Sequence, residues 1–430
     1  MDTFFGLRER GTTPRTEVMA GLATWLTMVY IVVVNPGIMA AAGIDQGAAF
    51  VATCIAAAIG SALMGLLANY PIALAPGMGL NAYFAFAVVG GMGIPWPVAL
   101  GAVFVSGLLF FLVSVAGFRE WLINTIPFSL KLGIAAGIGF FLGLIGLQGM
   151  GVVVANQATL VGLGHLSDPK VILACLGFLL IAGLVARGVP GAIILGIIII
   201  ALAGIPFGLT TFNGVVSLPP SLAPTFLQLD IPGALGIGLV GIVFTFFLVD
   251  LLDNAGTLIA TTHRAGLMNP DGTVPRLGRA MLADSCGAML GAVLGTSTTV
   301  SYIESAAGIQ TGGRTGLTAL VVAGLFLLTL FLAPLATSVP GYATGAALLF
   351  VACLMAKSLR DVNWDDTTDY LPAIVTALAM PFTFSIATGI GLGFVTYAVV
   401  KAIAGRGREV SGAVWLIAGL SVLKFALGAG

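Results

Sequence analysis

Long apolar runs, separated by short polar, glycine or proline breaks, occupy almost the whole chain of 430 residues. Most lie near the roughly 20 residues that a helix needs to cross the hydrocarbon core of a bilayer. They predict an all-α polytopic membrane protein with fourteen transmembrane segments. These segments fall at 18–42, 48–69, 72–90, 97–117, 131–151, 169–187, 189–205, 233–262, 279–295, 297–312, 315–335, 340–357, 370–385 and 387–404.

The distribution of basic residues supports this count. With fourteen segments and a cytoplasmic N-terminus, every Arg and Lys before residue 410 except Lys170 lies in or beside a cytoplasmic loop, as the positive-inside rule requires. Adding or removing a central segment would scatter these charges over both sides. A further apolar stretch at 410–427 is short and includes Lys424, which leaves both a fifteenth span and an interfacial helix open.

Two of the segments are interrupted. In 70–84, two prolines and two glycines break an apolar run before a helix can start, and in 295–308 a β-branched, hydroxyl-rich stretch leads to Glu304. Each pattern predicts short extended stretches followed by a half-helix, in segments 3 and 10. Extended backbone at membrane depth is tolerated only where protein buries it or where it lines a cavity.

The interrupted segments occupy matching positions in the two halves of the chain. A shift of 226 residues places 61–65 over 287–291 and 75–78 over 301–304. Because each half holds seven segments, an odd number, the second half must enter the membrane in the opposite orientation. The chain therefore predicts 7+7 inverted repeats, the plan of many secondary transporters, in which paired interruptions mark a site at the midplane.

The eighth segment contains two acids, Asp250 and Asp253, followed by Thr257. Their spacing places all three on one helical face, and ionisable groups at membrane depth are costly unless they face a cavity or a partner. An alternative is that the acids pair with buried bases, but no Lys or Arg lies in the middle of a segment. The alternative interpretation of Glu304 is that its carboxylate only caps the N-terminus of its own helix.

The composition excludes several other functions. Hydrophobic residues make up 59% of the chain, charged residues make up 8%, and the mean hydropathy is +1.11, values typical of membrane proteins. The 17 basic residues balance the 17 acidic ones, so we expect no nucleic-acid partner. The four cysteines stand singly, without the spacings of a metal or redox site. We expect neither a metal nor a cofactor.

Three motifs carry a resemblance to a known family: APGMGLNAYF at 75–84, DLLDNAGT at 250–257 and TTVSYIESAAG at 298–308. They resemble the signatures of the adenine/guanine/hypoxanthine permease branch of the nucleobase–cation symporter-2 (xanthine/uracil permease) family. The resemblance implies proton-coupled symport of purine nucleobases across the cell membrane, the inner membrane in bacteria, and no enzyme activity. The expected partners are the purine base, the proton and the lipid bilayer, with a homodimer formed through the gate domains.

The same resemblance implies a core domain of segments 1–4 and 8–11 and a gate domain of segments 5–7 and 12–14. The resulting division is 1–17 as a cytoplasmic N-terminus, 18–205 as the first repeat (core 18–117, gate 131–205), 206–232 as an external loop, 233–404 as the second repeat (core 233–335, gate 340–404) and 405–430 as a C-terminal segment.

Site residues follow from the motifs. Proton coupling is expected at Asp250, Asp253 and Glu304. Uracil and xanthine members generally have Glu with His or Asp four residues later, whereas this chain has Asp253 followed by Thr257, which favours the purine branch. The expected substrate-binding residues are Asp253, Glu304, Asn81, Gly77, Met78, Gly79, Phe84, Tyr302, Ser301 and Thr257.

Three alternatives remain. A transporter of the same fold could take uracil or xanthine. The second alternative is a channel or a transporter for a small anion. An anion transporter, however, should have a neutral or basic residue at the position of Glu304. An intramembrane aspartyl protease also needs two membrane acids, but its acids lie on different helices and here both share one.

Overall fold

The computed structural model describes residues 2–116, 126–157, 159–236, 240–268 and 274–426. Within these ranges the protein is mostly helical, with two short pairs of strands. The strands are β1 (Leu74–Pro76), β2 (Val153–Asn156), β3 (Leu160–Leu163) and β4 (Thr299–Ser301). The α-helices are α1 (Asp2–Phe5), α2 (Pro14–Met28), α3 (Ile31–Ala41), α4 (Gln46–Leu63), α5 (Met78–Ala82), α6 (Trp96–Val115), α7 (Phe128–Met150), α8 (Pro169–Ala186), α9 (Ala192–Ala203), α10 (Ile231–Ala234), α11 (Val240–Arg264), α12 (Leu277–Leu294), α13 (Ser305–Gln310), α14 (Gly316–Thr329), α15 (Ala333–Thr337), α16 (Gly341–Ala356), α17 (Thr367–Thr383), α18 (Ile386–Ile403) and α19 (Gly412–Ala426).

Each of the fourteen predicted segments contains at least one helix. In the described part of the chain, ten helices are long and apolar enough to cross a membrane, and three shorter apolar helices accompany them. The fold is therefore that of a polytopic membrane protein with about ten to fourteen candidate spans. The first segment is divided into α2 and α3, and the fifth begins three residues earlier than predicted, at Phe128.

Capping residues explain several helix boundaries. Thr13 accepts a hydrogen bond from the backbone N–H of Thr16 at 3.2 Å, and Pro14 takes the first position of α2, where its missing N–H costs nothing. Ser385 accepts from the backbone N–H of Thr388 at 3.2 Å. That cap starts α18 directly after α17 and separates two helices within one almost continuous apolar stretch.

The two interrupted segments pair with each other. Strands β1 and β4 run antiparallel, with Leu74 opposite Ser301 and Pro76 opposite Thr299. The pairing continues beyond the strands, because the N–H of Gly77 donates to the carbonyl of Thr298 at 2.9 Å. The predicted extended stretches are thus confirmed, and α5 and α13 follow them as predicted. The hairpin of β2 and β3, which connects α7 to α8, was not predicted.

The long helices pack in sets. Helix α7 contacts α16, α17 and α18, whereas α12 contacts α4 and α6, and α14 contacts α2 and α4. The paired strands lie beside α4, α11 and α12, and side chains of these helices accept from strand N–H groups: Ser61 from Leu74 at 2.9 Å and Asn254 from Ser301 at 2.7 Å. Within the stretch 410–427, residues 412–426 form α19, which packs against α18.

Candidate functional site

A cavity of about 620 Å³ opens between α7 and α16 on one side and α11 with the turn before α13 on the other. Its walls are mainly aliphatic, and its polar groups are few, which is the usual construction of a small-molecule site. The lining residues are Phe128, Lys131, Leu132, Ile134, Ala135, Ile138, Val249, Leu252, Asp253, Gly256, Thr257, Ala260, Ile303, Glu304, Val351, Leu354, Met355 and Ser358.

Asp253 reaches this cavity from the middle of α11. Its side chain is solvent-accessible, and Gly256 and Thr257 line the cavity beside it, one helical turn further on. In the described part of the chain, no ion pair involves Asp253 or Asp250. The alternative of acids paired with buried bases therefore has no support in the geometry.

Glu304 enters the cavity from the opposite direction, at the end of the second interrupted stretch. It stands at the N-cap position of α13, but its side chain makes no capping hydrogen bond. Instead Oε1 accepts a 2.7 Å hydrogen bond from the hydroxyl of Tyr30, which is fully buried. The carboxylate is thus held by a residue of the first segment while Glu304 lines the cavity.

Asp250 faces away from the cavity. Its side chain is fully buried, and Oδ1 accepts from the amide of Asn254 at 2.7 Å. The same amide donates to Oδ2 of Asp284 on α12, while Oδ1 of Asn254 accepts from the backbone N–H of Ser301 at 2.7 Å. Asn254 of α11 therefore connects two elements: its amide N–H groups bond to Asp284 on α12, and its oxygen bonds to the backbone of Ser301 on β4.

Sequence reasoning missed Asn254 and Asp284. Both are fully buried, and Asp284 also accepts from the hydroxyl of Ser301 at 3.2 Å. The available signal was an acid inside the apolar run 279–295, which is as costly at membrane depth as the acids of α11. Tyr30 was missed as well, and no pattern in the sequence marked it.

Three of the ten predicted substrate-binding residues line the cavity: Asp253, Thr257 and Glu304. The other seven do not line it, and two of them, Tyr302 and Ser301, bond instead to groups around the paired strands. The hydroxyl of Tyr302 donates to the carbonyl of Pro76 at 2.6 Å, and Ser301 bonds to Asp284. These seven residues are Asn81, Gly77, Met78, Gly79, Phe84, Tyr302 and Ser301.

The half-helix α5 lies directly behind one wall of the cavity. A Cβ atom on Gly79 would collide with the side chain of Ile138, a lining residue of α7. Asn81 is fully buried, and neither its side-chain oxygen nor its nitrogen has a hydrogen-bond partner in the protein. In this conformation Ile138 stands between the third segment and the cavity.

A helical membrane protein with acids on an interior cavity between sets of helices has the architecture of a membrane transporter. The chain belongs to the xanthine/uracil permease family: the model of this permease family matches residues 15–392. The family resemblance predicted from the motifs is confirmed, and the expectation of a permease rather than an enzyme is confirmed with it.

Related proteins align with this chain over nearly the full length of both partners. The adenine permease AdeP of Escherichia coli (strain K12) is 50% identical over 424 residues, which cover 99% of this chain and 95% of that protein. The guanine/hypoxanthine permease PbuG of Bacillus subtilis (strain 168) is 44% identical over 422 residues, covering 95% and 96%. Among solved structures, the transmembrane domain of the cyanobacterial bicarbonate transporter BicA is similar in fold, with a TM-score of 0.68 at 15% identity over 87% of this chain and 96% of that one.

Proposed function

We propose that the protein takes up purine nucleobases, namely adenine, guanine and hypoxanthine, across the cell membrane by proton symport. The observation that carries this proposal is that Asp253 and Glu304, from two separate segments, line one otherwise largely apolar cavity. Relatives named for transport of adenine and of guanine and hypoxanthine support the substrate class.

The chemistry of the cavity suits a flat, polar, neutral ring. Carboxylate oxygens accept hydrogen bonds from ring N–H groups and exocyclic amines, and the Thr257 hydroxyl can donate or accept. Aliphatic side chains such as Ile134, Ile138 and Val351 offer surfaces that pack against the two faces of the base. A small anion would meet the two carboxylates of Asp253 and Glu304 against one lysine, Lys131, and this excess of acid disfavours the anion alternative.

Proton coupling follows from the same two acids. A carboxylate that faces an aqueous cavity on one side and apolar protein on the other exchanges protons with that cavity. Binding a proton together with a neutral base lets the site move past its surroundings without an unpaired charge at membrane depth. Asp253 and Glu304 are the proposed proton carriers. Asp250 does not line the cavity, so it acts through Asp253, one helical turn away.

The proposed architecture is a pair of 7+7 inverted repeats with core domains 18–117 and 233–335 and gate domains 131–205 and 340–404. Two features support it: the antiparallel pairing of β1 with β4, and a cavity whose lining comes from α7 and α16 of the gate and from α11 and Glu304 of the core. A cytoplasmic N-terminus, the multi-pass location in the cell membrane and a homodimer through the gate domains belong to the same proposal.

Competition for uptake tests the substrate class. Cells that lack their own permeases and express this protein should accumulate labelled adenine, and unlabelled guanine and hypoxanthine should compete, whereas uracil and xanthine should compete poorly. Glu304→Gln, which should abolish uptake, is the matched inactive control. Stronger competition by uracil or xanthine than by guanine or hypoxanthine would overturn the assignment to the adenine/guanine/hypoxanthine branch.

A further inference from the structure

A second pocket, of about 310 Å³, lies at the end of α7 where Phe128 begins the helix. Side chains of α17, α18 and the loops at 361–363 and 406–409 complete it. This is the end of the molecule that the positive-inside rule assigns to the cytoplasm. No motif in the sequence marks a site here.

The pocket adjoins the central cavity. Phe128 and Leu132 line both spaces, so these two side chains form the partition between them. The ring of Phe128 is 65% exposed, which makes it available for stacking. Displacement of these two side chains would join the two spaces.

The pocket offers polar groups that the protein does not use. Ser129 is only 8% exposed and lines the pocket, yet its hydroxyl has no hydrogen-bond partner. Asn363 uses its side-chain oxygen to accept from the backbone N–H of Asp365 at 3.2 Å, which leaves its amide N–H groups for a ligand. A buried hydroxyl without a partner is costly, so a polar ligand at this position would be stabilising.

Most charges of the pocket are paired with one another, and the balance disfavours an anion. Lys401 is buried and pairs with Asp369 at 3.2 Å and with Glu409 at 3.1 Å. Arg406 bonds to Glu409 at 2.7 Å, and Arg406 together with Lys401 lowers the pKa of Glu409 to about 2, so this pairing persists at cytoplasmic pH. Among the lining residues, Asp361 is left with an uncompensated charge, which disfavours an anion.

We propose that this pocket is a second binding site for the transported nucleobase, occupied between the central cavity and the cytoplasm. The base stacks on Phe128 and bonds to Ser129 and Asn363. This inference rests on the proposed function, because it takes its ligand from it.

Equilibrium binding of radiolabelled adenine and hypoxanthine to the purified full-length protein tests the inference. The wild type should show a tight and a weak class of site. Glu304→Gln should remove the tight class and keep the weak one. The double variant Ser129→Ala with Asn363→Asp should weaken the weak class by about fivefold or more, as expected for the loss of one or two hydrogen bonds, and leave the tight class unchanged.

The variants are chosen to preserve the fold. Ser129 makes no side-chain hydrogen bond in the protein, and Asn363→Asp keeps the acceptor for the N–H of Asp365. Asp365→Asn, which changes an exposed acid of the same loop outside the pocket, is the control and should bind as the wild type does.

Single-class binding in the wild type that ignores Ser129 and Asn363 overturns the second site and leaves the proposed function standing. An equal loss in Asp365→Asn also overturns the second site. A wild type that binds no purine base removes the proposed function and the second site together.

Discussion

The hydroxyl of Tyr30 donates a 2.7 Å hydrogen bond to the carboxylate of Glu304, which joins the first membrane segment to the second interrupted segment. Tyr30 is fully buried, so this bond lies away from bulk water. We expect Tyr30→Phe to raise the KM for purine uptake about tenfold, because a hydrogen bond to a charged group contributes about 1.5–3 kcal/mol and part of that free energy orients Glu304.

Tyr342→Phe is the matched control for that change. Tyr342 is equally buried and shares a 2.9 Å hydrogen bond with Thr210, outside the cavity. Radiolabelled uptake at matched membrane levels checks both variants. If the two changes raised the KM equally, the effect would be general to buried tyrosines and Tyr30 would have no specific role at the site.

Glu304→Gln should abolish purine uptake while the protein still reaches the membrane. The amide weakens the bond to the base by about 1.5–3 kcal/mol, roughly 10- to 150-fold in affinity, and its N–H groups meet donors of the ligand. Uptake, with membrane levels determined by immunoblot, checks this. Glu9→Gln, at an exposed acid near the N-terminus, should be neutral, and near-normal affinity in Glu304→Gln would remove Glu304 from the site.

Asp253 should couple transport to the proton gradient. We expect uptake to rise as the external pH falls from about 8 toward 6, because protonation of a cavity carboxylate cancels its charge before the site moves. A protonophore should abolish accumulation. Asp253→Asn should lose accumulation and keep exchange of purine across the membrane, which needs no net proton movement.

Asp250→Asn should be milder than Asp253→Asn, since Asp250 bonds to Asn254 and does not line the cavity. Uptake measured across pH in both variants tests the difference.

Accumulation that ignored pH and protonophore and followed a sodium gradient would refute the proton assignment while leaving the purine site intact.

Gly77 should tolerate no side chain. A Cβ atom there would lie 2.8 Å from a methyl group of Val300, and overpacking of this kind costs about 1–3 kcal/mol. We expect Gly77→Val and Gly79→Val to impair transport and lower the thermal unfolding temperature more than Leu80→Val. Gly241→Ala, which meets no atom within 4 Å, is the control, and equal tolerance at the three test positions would mean that close packing of this segment is unimportant.

Asn254→Ala should destabilise the protein strongly. It leaves the backbone N–H of Ser301 without its acceptor and the carboxylates of Asp250 and Asp284 without a shared donor. Each buried group left without a partner costs about 1–3 kcal/mol. A thermal-shift assay in detergent measures this, with exposed Asn213→Ala as the control. An unchanged unfolding temperature would show that the hydrogen bonds of Asn254 do not stabilise the fold.

The sequence by itself determined the helical segments and the two interruptions. Apolar length sets where helices form, and the prolines at 70–77 and the β-branched, hydroxyl-rich residues at 296–302 disfavour one continuous helix through either segment. The cost of an ion at membrane depth likewise marked Asp250, Asp253 and Glu304 as functional candidates.

Only the tertiary structure decided which side of α11 faces the cavity. Residues three apart on a helix differ by about 60° in direction, so Asp250 and Asp253 share a face yet contact different neighbours. Asp250 points with Asn254 toward Asp284, and Asp253 points with Thr257 into the cavity. Packing of α12 on one side and α7 on the other makes this choice, and no local pattern encodes it.

The bond between Tyr30 and Glu304 and the register of β1 on β4 were likewise beyond the sequence. Each joins residues more than 200 positions apart, and the chain brings them together only after its helices have packed. Propensity and periodicity act over about one or two turns, so they fix the elements, whereas hydrogen bonds and contacts between distant elements fix the site.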